Sequence, residues 1–319
     1  MIVRWGLGSL GGVLSELGRS APYLLATERQ PDVPGQVGRW SELPTDDVDS
    51  IVAAVGTADV LVPLGGGSSI DTAKAVSADT GLPVVSIPTT YSGAEWTPFF
   101  GVRDRGRRQR SGGAGARVAG IVYDPELTLG LPRAQTVGTA LNALAHCAEA
   151  LYVEGHNAAA DEHALEGARL ISRWLPRVAE DPADLEARTG LLRGACHGGA
   201  ALAGSMLALG HAMAQALGGR YGLPHGAMNA LALPPALRFN AEAAPDALAR
   251  LGAALGTVDP AGRVEELARL GGFERLRDHG VPEAELPDVA AAVVQRPGAK
   301  ANPRPATAAE VEELLRSIW

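Results

Sequence analysis

Three histidines, His146, His211 and His225, are spaced so that they could share one site. Asn142 and His146 are four residues apart in "NALAH", and His211 and Gln215 are four apart in "HAMAQ". Four-residue spacing places each pair on one face of a helix. His225 follows Leu-Pro and precedes Gly, which predicts a turn at a helix start. Three imidazoles can bind a divalent metal, or can polarise a substrate and move a proton. Asn142 offers only a neutral oxygen, which weakens the metal interpretation.

A glycine-rich segment in the first half of the chain is typical of a phosphate-binding turn. "PLGGGSSIDTAKAV" (63–76) follows an apolar run and opens a stretch of helical composition. Glycines let the backbone approach a ligand closely, and free N–H groups at a helix start attract an anion. An ordinary strand-to-helix turn would also explain the glycines, but the serines that follow and the nearby "PTT" favour phosphate binding. The predicted contacts come from Gly65, Gly66, Gly67 and Ser68.

Three other residues are candidates for contact with the same ligand. Thr89 and Thr90 end the apolar run "LPVVSIPTT", so their hydroxyls would lie at the carboxyl edge of a sheet. Open α/β sheets bind ligands at that edge, although β-propensity alone would also account for two threonines. Glu28 follows another apolar run, where it could accept hydrogen bonds from a ribose or could be a solvated strand end.

Two kinds of structure are expected to position these residues. Apolar runs bounded by glycine and proline alternate with helical stretches, which predicts an α/β domain with a mostly parallel sheet at residues 1–132. From 133 to 319 the chain is rich in Ala, Leu, Glu and Arg, which predicts an all-α domain that includes a helical segment at 186–218. The predicted buried strands are 22–27, 59–67, 82–90 and 119–125.

Composition excludes several classes of function. A chain of 319 residues is long enough for two domains, and its net charge of −8 disfavours nonspecific nucleic-acid binding. Two cysteines are too few for a disulfide framework, which suits a reducing compartment. No apolar run approaches the roughly 20 residues that span a bilayer, and the N-terminus lacks signal-peptide features. The prediction is a cytoplasmic protein that acts on a small molecule, without a nucleic-acid or membrane partner.

Six motifs together resemble the iron-containing alcohol dehydrogenase superfamily, and within it the maleylacetate reductases. They are "GGGSSIDTAKA", "PTTYSGAEWTP", "YDPELTLGLP", "NALAHCAEALY", "GHAMAQALGGRYGLPHG" and "NPRP". The resemblance extends from about residue 4 to the C-terminus. It implies a dehydroquinate synthase-like fold, in which a nucleotide-binding α/β domain precedes an α-helical catalytic domain. It also implies NAD(H) or NADP(H) as cofactor and a homodimer.

The resemblance implies roles for the candidate residues. The GGGS turn would bind the cofactor pyrophosphate, and the threonine pair would line the nicotinamide end. Metal-dependent members of the family bind their ion through an Asp and three His, and these positions carry Asn142, His146, His211 and His225 here. Maleylacetate reductases also have Asn at the first position and are regarded as metal-independent. The resemblance therefore implies that no metal is bound and that the histidines polarise the substrate and supply a proton.

Three departures from the family pattern bear on function. Gln215 stands where the family usually has a histidine, and glutamine cannot transfer a proton at neutral pH. Arg108 replaces a family lysine within "RGRRQRSGGAGAR", where it could clamp an acidic substrate or belong to a solvated loop. The segment 29–57 is short and broken by Pro and Gly, which trims the adenosine side of the cofactor site.

Two functions of different classes follow from these patterns. The leading interpretation is an NAD(P)H-dependent reductase of a small, acidic or oxygenated substrate, with histidines that polarise the acceptor and donate a proton. The alternative is a non-redox lyase, dehydratase or cyclase of specialised metabolism on the same fold, in which the histidines perform acid–base chemistry alone. Gln215, Arg108 and the shortened segment 29–57 motivate the alternative, in which cofactor use would be degenerate.

Overall fold

The computed structural model describes residues 1–104, 107–112 and 115–319, and the side chains of residues 103–114 are outside that description. The chain divides into two units. The first comprises Met1–Thr90 and Ala94–Gly130, and the second comprises Tyr91–Gly93 and Leu131–Trp319. Three residues that follow the "PTT" motif therefore pack with helices that are distant in sequence.

A parallel sheet forms the centre of the first unit. The strands in the described part of this unit are β1 (Ile2–Trp5), β2 (Pro22–Leu25), β3 (Gly38–Trp40), β4 (Val60–Gly65), β5 (Pro83–Pro88), β6 (Phe100–Asp104), β7 (Arg107–Gly112) and β8 (Arg117–Tyr123). Six of them form one sheet in the order β1-β8-β5-β4-β2-β3, and every pairing within it is parallel. β6 and β7 pair separately as an antiparallel hairpin.

Helices cover both faces of this sheet. They are α1 (Leu10–Glu16), α2 (Val48–Ala54) and α3 (Gly67–Thr80). Along β2, Leu24 packs in the apolar layer that contains Val13 of α1, whereas Leu25 packs in the opposite layer with Ile51 of α2 and Ala73 of α3. Because alternate side chains are buried on opposite faces, the strands have continuous apolar sequences. The predicted doubly wound α/β fold is confirmed.

The second unit is helical. Its helices in the described chain are α4 (Arg133–Ala150), α5 (Ala158–Glu180), α6 (Leu185–Ala203), α7 (Leu209–Tyr221), α8 (His225–Asn240), α9 (Pro245–Leu255), α10 (Pro260–Arg269), α11 (Leu286–Val293), α12 (Pro297–Lys300) and α13 (Ala308–Ser317). From Thr136 to its end, α4 is buried at every position except Thr139. Burial on all sides places α4 at the centre of this unit, so its polar residues face other helices.

The predicted helical segment at 186–218 is wrong in one respect, because two helices occupy it. α6 ends at Ala203 and α7 begins at Leu209. The backbone N–H groups of Ala208 and His211 donate to the buried carboxylate of Glu149, at 2.7 and 3.0 Å. A side chain from another helix therefore satisfies the donors at the start of α7, which local sequence could not reveal.

Two edge strands were not predicted from the sequence. β3 has only three residues and lies in a segment broken by Pro and Gly, and β1 has four residues, two of them exposed. Neither is long or apolar enough to stand out as a pattern. Across the described helices, none has both the length and the apolar character needed to cross a membrane.

Candidate active site

The three predicted histidines lie together in the second unit. His146 lies in the last two turns of α4, His211 in the first turn of α7, and His225 is the first residue of α8. The rings of His146 and His211 are stacked with their centroids 4.7 Å apart and 10° between their planes. The ring of His225 is tilted against His211, with 5.9 Å between centroids. His211 is therefore the middle member of a row of three imidazoles.

A buried carboxylate orients His211. Nδ1 of His211 is 2.7 Å from Oε2 of Glu149, and both side chains are almost completely inaccessible. The same carboxylate accepts the two backbone N–H groups at the start of α7. Because these donors occupy both oxygens, Glu149 acts as an acceptor and Nδ1 of His211 bears the hydrogen. The remaining ring nitrogen, Nε2, points away from Glu149.

Two nitrogens of the cluster are buried without a hydrogen-bond partner among the described residues. They are Nε2 of His211 and Nδ1 of His146. A Cβ atom added to Gly93 would be 3.3 Å from Nδ1 of His146, and Gly93 has φ +76°, so a larger side chain is disfavoured there for two reasons. Buried polar atoms are normally hydrogen-bonded. These two atoms are therefore candidates for contact with a substrate.

His225 is held by a chain of amides. Nδ2 of Asn142 donates to the carbonyl oxygen of Ser92 at 2.7 Å, and Oδ1 of Asn142 accepts from Nδ2 of Asn229 at 2.6 Å. The same Asn229 amide nitrogen is 3.0 Å from Nε2 of His225. An amide nitrogen can only donate, so Nε2 of His225 accepts and the hydrogen of the neutral ring is on Nδ1. Asn142 thus organises the site rather than offering a free oxygen to it.

The pKa values of the two outer histidines are lowered. Burial, followed by the proximity of His211 and His225, holds the pKa of His146 well below its usual value. His225 is the exposed first residue of its helix, but its ring packs against its neighbours. Loss of hydration, followed by the nearby charges of His211 and Arg296, lowers the pKa of His225 as well. Both rings are therefore neutral at neutral pH, where they act as hydrogen-bonding groups rather than as cations.

A cation lies beside the cluster. Arg296 is half-buried, and its guanidinium is 3.4 Å from Oε1 and 3.3 Å from the backbone oxygen of Gln215, which lies one turn after His211 on α7. Desolvation lowers the pKa of Arg296, but an arginine remains charged at neutral pH. Its Nε atom is buried and without a partner in the described part of the chain. The guanidinium is therefore able to receive an anion.

Of the four residues at the family's metal positions, two already use in hydrogen bonds the atoms that an ion would need. None of the four is a carboxylate, Oδ1 of Asn142 accepts the Asn229 amide, and Nε2 of His225 accepts the same amide. An N–H donor is therefore directed at two atoms that would have to offer lone pairs to an ion. In the residues that the structure describes, no group of three or more His, Cys, Asp or Glu is arranged to hold a metal.

The predicted phosphate cradle lies in the first unit. Helix α3 begins at Gly67, and Gly66 is its N-cap residue. Because glycine has no side chain, Gly66 makes no side-chain capping hydrogen bond to the N–H groups of the first turn. Ser68 is exposed in the first turn. The sequence also offers Ser69 as a hydroxyl donor to the ligand, but its Oγ donates to the backbone oxygen of Leu25 at 2.7 Å. The first-turn N–H groups and Ser68 are suited to a pyrophosphate group.

The threonine pair adjoins this cradle. The N–H of Thr89 donates to the backbone oxygen of Gly65 at 3.0 Å, which joins the ends of β5 and β4. A Cβ atom on Gly66 would be 2.9 Å from Cγ2 of Thr90, so a side chain at Gly66 would collide with Thr90. Oγ1 of Thr90 is buried and lacks a partner among the described residues. The residues present therefore fit the phosphate-bearing part of a dinucleotide.

The predicted roles of two other site residues are not tested by the described structure. Glu28 lies in an exposed turn three residues beyond the end of β2. The backbone of Arg108 belongs to β7, and its side chain is outside the described residues. Their proposed contacts with ribose and with an acidic substrate stay predictions.

Sequence reasoning missed three residues of the histidine cluster. Glu149 is three residues after His146 on α4, and Asn229 is four residues after His225 on α8. Both spacings place a polar residue on the same helix face as a candidate histidine, so this signal was available. Arg296 has no such signal, because it reaches the site from a turn between α11 and α12.

Comparison with known proteins identifies the family. The model described as "Fe-containing alcohol dehydrogenase family, C-terminal" matches residues 136–319, and the model "Iron-containing alcohol dehydrogenase" matches residues 35–125. Maleylacetate reductase of Burkholderia cepacia is 39% identical over 263 residues, which are 82% of this chain and 74% of that protein. Maleylacetate reductase 1 of Rhodococcus opacus is 34% identical and aligns over 99% of this chain and 94% of its own.

Solved structures agree with these matches. The crystal structure of maleylacetate reductase from Agrobacterium tumefaciens has a TM-score of 0.90 and 32% identity, and covers 100% of this chain and 95% of its own. The relatives compared are reductases, which supports the redox interpretation over the lyase, dehydratase or cyclase. The chain therefore belongs to the iron-containing alcohol dehydrogenase family and is an NAD(P)-dependent oxidoreductase.

Proposed function

We propose that this oxidoreductase reduces maleylacetate, or a closely similar unsaturated dicarboxylate, without a bound metal. The reductases named above support the substrate assignment. The single structural observation that carries it is the half-buried Arg296, whose Nε lacks a partner among the described residues, close to the histidine row. A fixed cation beside hydrogen-bonding groups suits a substrate that carries a carboxylate close to the carbonyl that is conjugated to its reacting double bond.

The cluster contains groups that can bind the substrate carboxylate, stabilise the oxyanion and deliver the proton. Maleylacetate has a ketone conjugated to its double bond, and NAD(P)H, when bound, supplies the hydride. Hydride addition to that double bond leaves negative charge on the ketone oxygen and requires a proton at carbon. His146 and His211 each have a buried nitrogen with no partner in the described chain, suited to bind this oxygen and to deliver the proton. Arg296 binds a carboxylate.

Metal-free action is part of the proposal. Its support is the donor set at Asn142 and His225, where hydrogen bonds from Asn229 use the atoms that an ion would need. In this scheme neutral and charged donors of the protein stabilise the developing oxyanion in place of a Lewis acid.

A cytoplasmic homodimer completes the proposal. No disulfide joins Cys147 to Cys196 in the described structure, which suits a reducing compartment. Sedimentation equilibrium of the purified protein tests the dimer, and a monomer at micromolar concentration would exclude it.

The proposed function is tested by following NADH and NADPH oxidation at 340 nm with maleylacetate. We expect turnover with at least one of the two nucleotides and a KM for maleylacetate below about 1 mM. Acetaldehyde, which lacks a carboxylate, serves as the control substrate and should be reduced far less efficiently. Efficient reduction of acetaldehyde without reduction of maleylacetate would overturn the substrate assignment.

A further inference from the structure

Glu149 is completely buried, and its carboxylate accepts hydrogen bonds only from Ala208 and His211 among the described contacts. Its two oxygens accept the N–H of Ala208, the N–H of His211 and Nδ1–H of His211, at 2.7, 3.0 and 2.7 Å. Two of these contacts fix the start of α7, and the third fixes the ring that this start carries. The position of the helix and the orientation of the His211 ring therefore depend on the same group.

The hydrogen bond to Nδ1 determines which His211 nitrogen faces the site. With Nδ1–H bound to Glu149, proton exchange with a ligand is possible only through Nε2. Nε2 is buried and has no partner among the described residues, and the ring is stacked on His146 at 4.7 Å between centroids. The other two histidines lack a carboxylate partner in the described structure: Nε2 of His225 accepts an amide, and Nδ1 of His146 is unpartnered.

We propose that Glu149 is the positioning residue of the reduction and that His211, held by it, transfers the proton to the substrate through Nε2. The proposal rests on the proposed function and names the proton donor at a site where Gln215 cannot serve. Before the transfer His211 takes up a solvent proton at Nε2, so that both ring nitrogens carry hydrogen. The proton on Nε2 then passes to the substrate as NAD(P)H supplies the hydride, and the ring returns to its neutral form with hydrogen on Nδ1. One hydride and one proton are thus added per turnover, and Glu149 does not contact the substrate.

The substitution Glu149→Gln tests this assignment. The amide oxygen can still accept a backbone N–H, but the –NH₂ group that faces Nδ1 of His211 cannot accept its hydrogen, so the doubly protonated ring that donates from Nε2 loses its partner. We expect kcat to fall about 100- to 10,000-fold, while the KM for maleylacetate and the affinity for NADH change little. A well-folded E149Q with wild-type kcat, or with a raised KM alone, would overturn the proposal.

A matched substitution separates capping from positioning. Asp259 caps α10 by accepting the N–H of Gly262 at 2.9 Å, away from the histidine row. Asp259→Asn makes the same chemical change at a helix start, and we expect wild-type kcat. If D259N lost as much activity as E149Q, the effect would be general helix destabilisation and the proposal would fail.

The tautomer of His211 can also be measured without any variant of Glu149. Nitrogen-15 NMR of histidine-labelled wild-type enzyme, assigned with His211→Gln, should show His211 protonated at Nδ1 at a pH where the ring is neutral. Protonation at Nε2 alone would overturn the proposal even if E149Q fails to fold. This readout needs no substrate, so it is independent of whether maleylacetate is reduced.

Discussion

At the scale of single residues, the three histidines differ in their partners rather than in their chemistry. His211 has a carboxylate, His225 has an amide, and Nδ1 of His146 has no partner among the described residues. Partners set the tautomer and the direction of each ring. A site that looks from its sequence like three equivalent ligands is therefore organised as one proton-transferring group between two neutral hydrogen-bonding groups.

Arg296 gives the first residue-level prediction. Replacing it with Gln removes the cation that we assign to a substrate carboxylate, and a charge-assisted hydrogen bond contributes about 1.5–3 kcal/mol. We therefore expect Arg296→Gln to raise the KM for maleylacetate about 10- to 100-fold, with a smaller effect on kcat. Steady-state kinetics measures both.

A control for this substitution is available on α7. Arg220 pairs with Glu285 at the surface, at 2.8 Å between Nε and Oε2. Arg220→Gln removes an arginine from the same unit without changing the histidine cluster, so its KM should match wild type. An unchanged KM in R296Q would show that Arg296 does not bind the substrate.

At the scale of elements, α4 carries most of the site. Asn142, His146 and Glu149 project from its last three turns. Asn142 contacts Ser92 and α8, whereas His146 and Glu149 both contact α7. The sequence predicted this helix and two of these residues, because four-residue spacing is a local property. It could not predict the end of α6 at Ala203, because the group that caps the next helix is some 60 residues away in sequence.

The turn between β4 and α3 gives an element-level prediction. Gly66→Ala would place a Cβ atom 2.9 Å from Cγ2 of Thr90. Thr90 or the turn must move, and overpacking of this kind costs about 1–3 kcal/mol. We expect the Kd of NADH to rise roughly 10-fold or more, as measured by fluorescence titration.

Gly12 supplies the matched control in the same unit. It is exposed on α1, and an added Cβ atom would meet nothing within 4 Å. Gly12→Ala should leave NADH affinity unchanged and stabilise the helix slightly. If G66A bound NADH as tightly as G12A, the cofactor would not be held at this turn.

At the scale of the whole molecule, the sequence predicted the order of an α/β unit and a helical unit. Buried parallel strands have continuous apolar sequences, and the helical part has strong helix formers, so both classes are visible locally. Other assignments depend on long-range packing. Residues Tyr91–Gly93 pack with the helical unit, where the Ser92 carbonyl accepts the Asn142 amide, and Arg296 reaches α7 across 81 residues of sequence.

The central claim is that a hydrogen-bonded histidine cluster, without a metal, supports NAD(P)H-dependent reduction of maleylacetate. The most direct test is the turnover of enzyme dialysed against a chelator, with its residual metal measured by plasma mass spectrometry. We expect undiminished kcat at a metal content far below one ion per chain, and no increase on addition of Fe²⁺ or Zn²⁺. Loss of activity on chelation, with recovery in proportion to added metal, would contradict it.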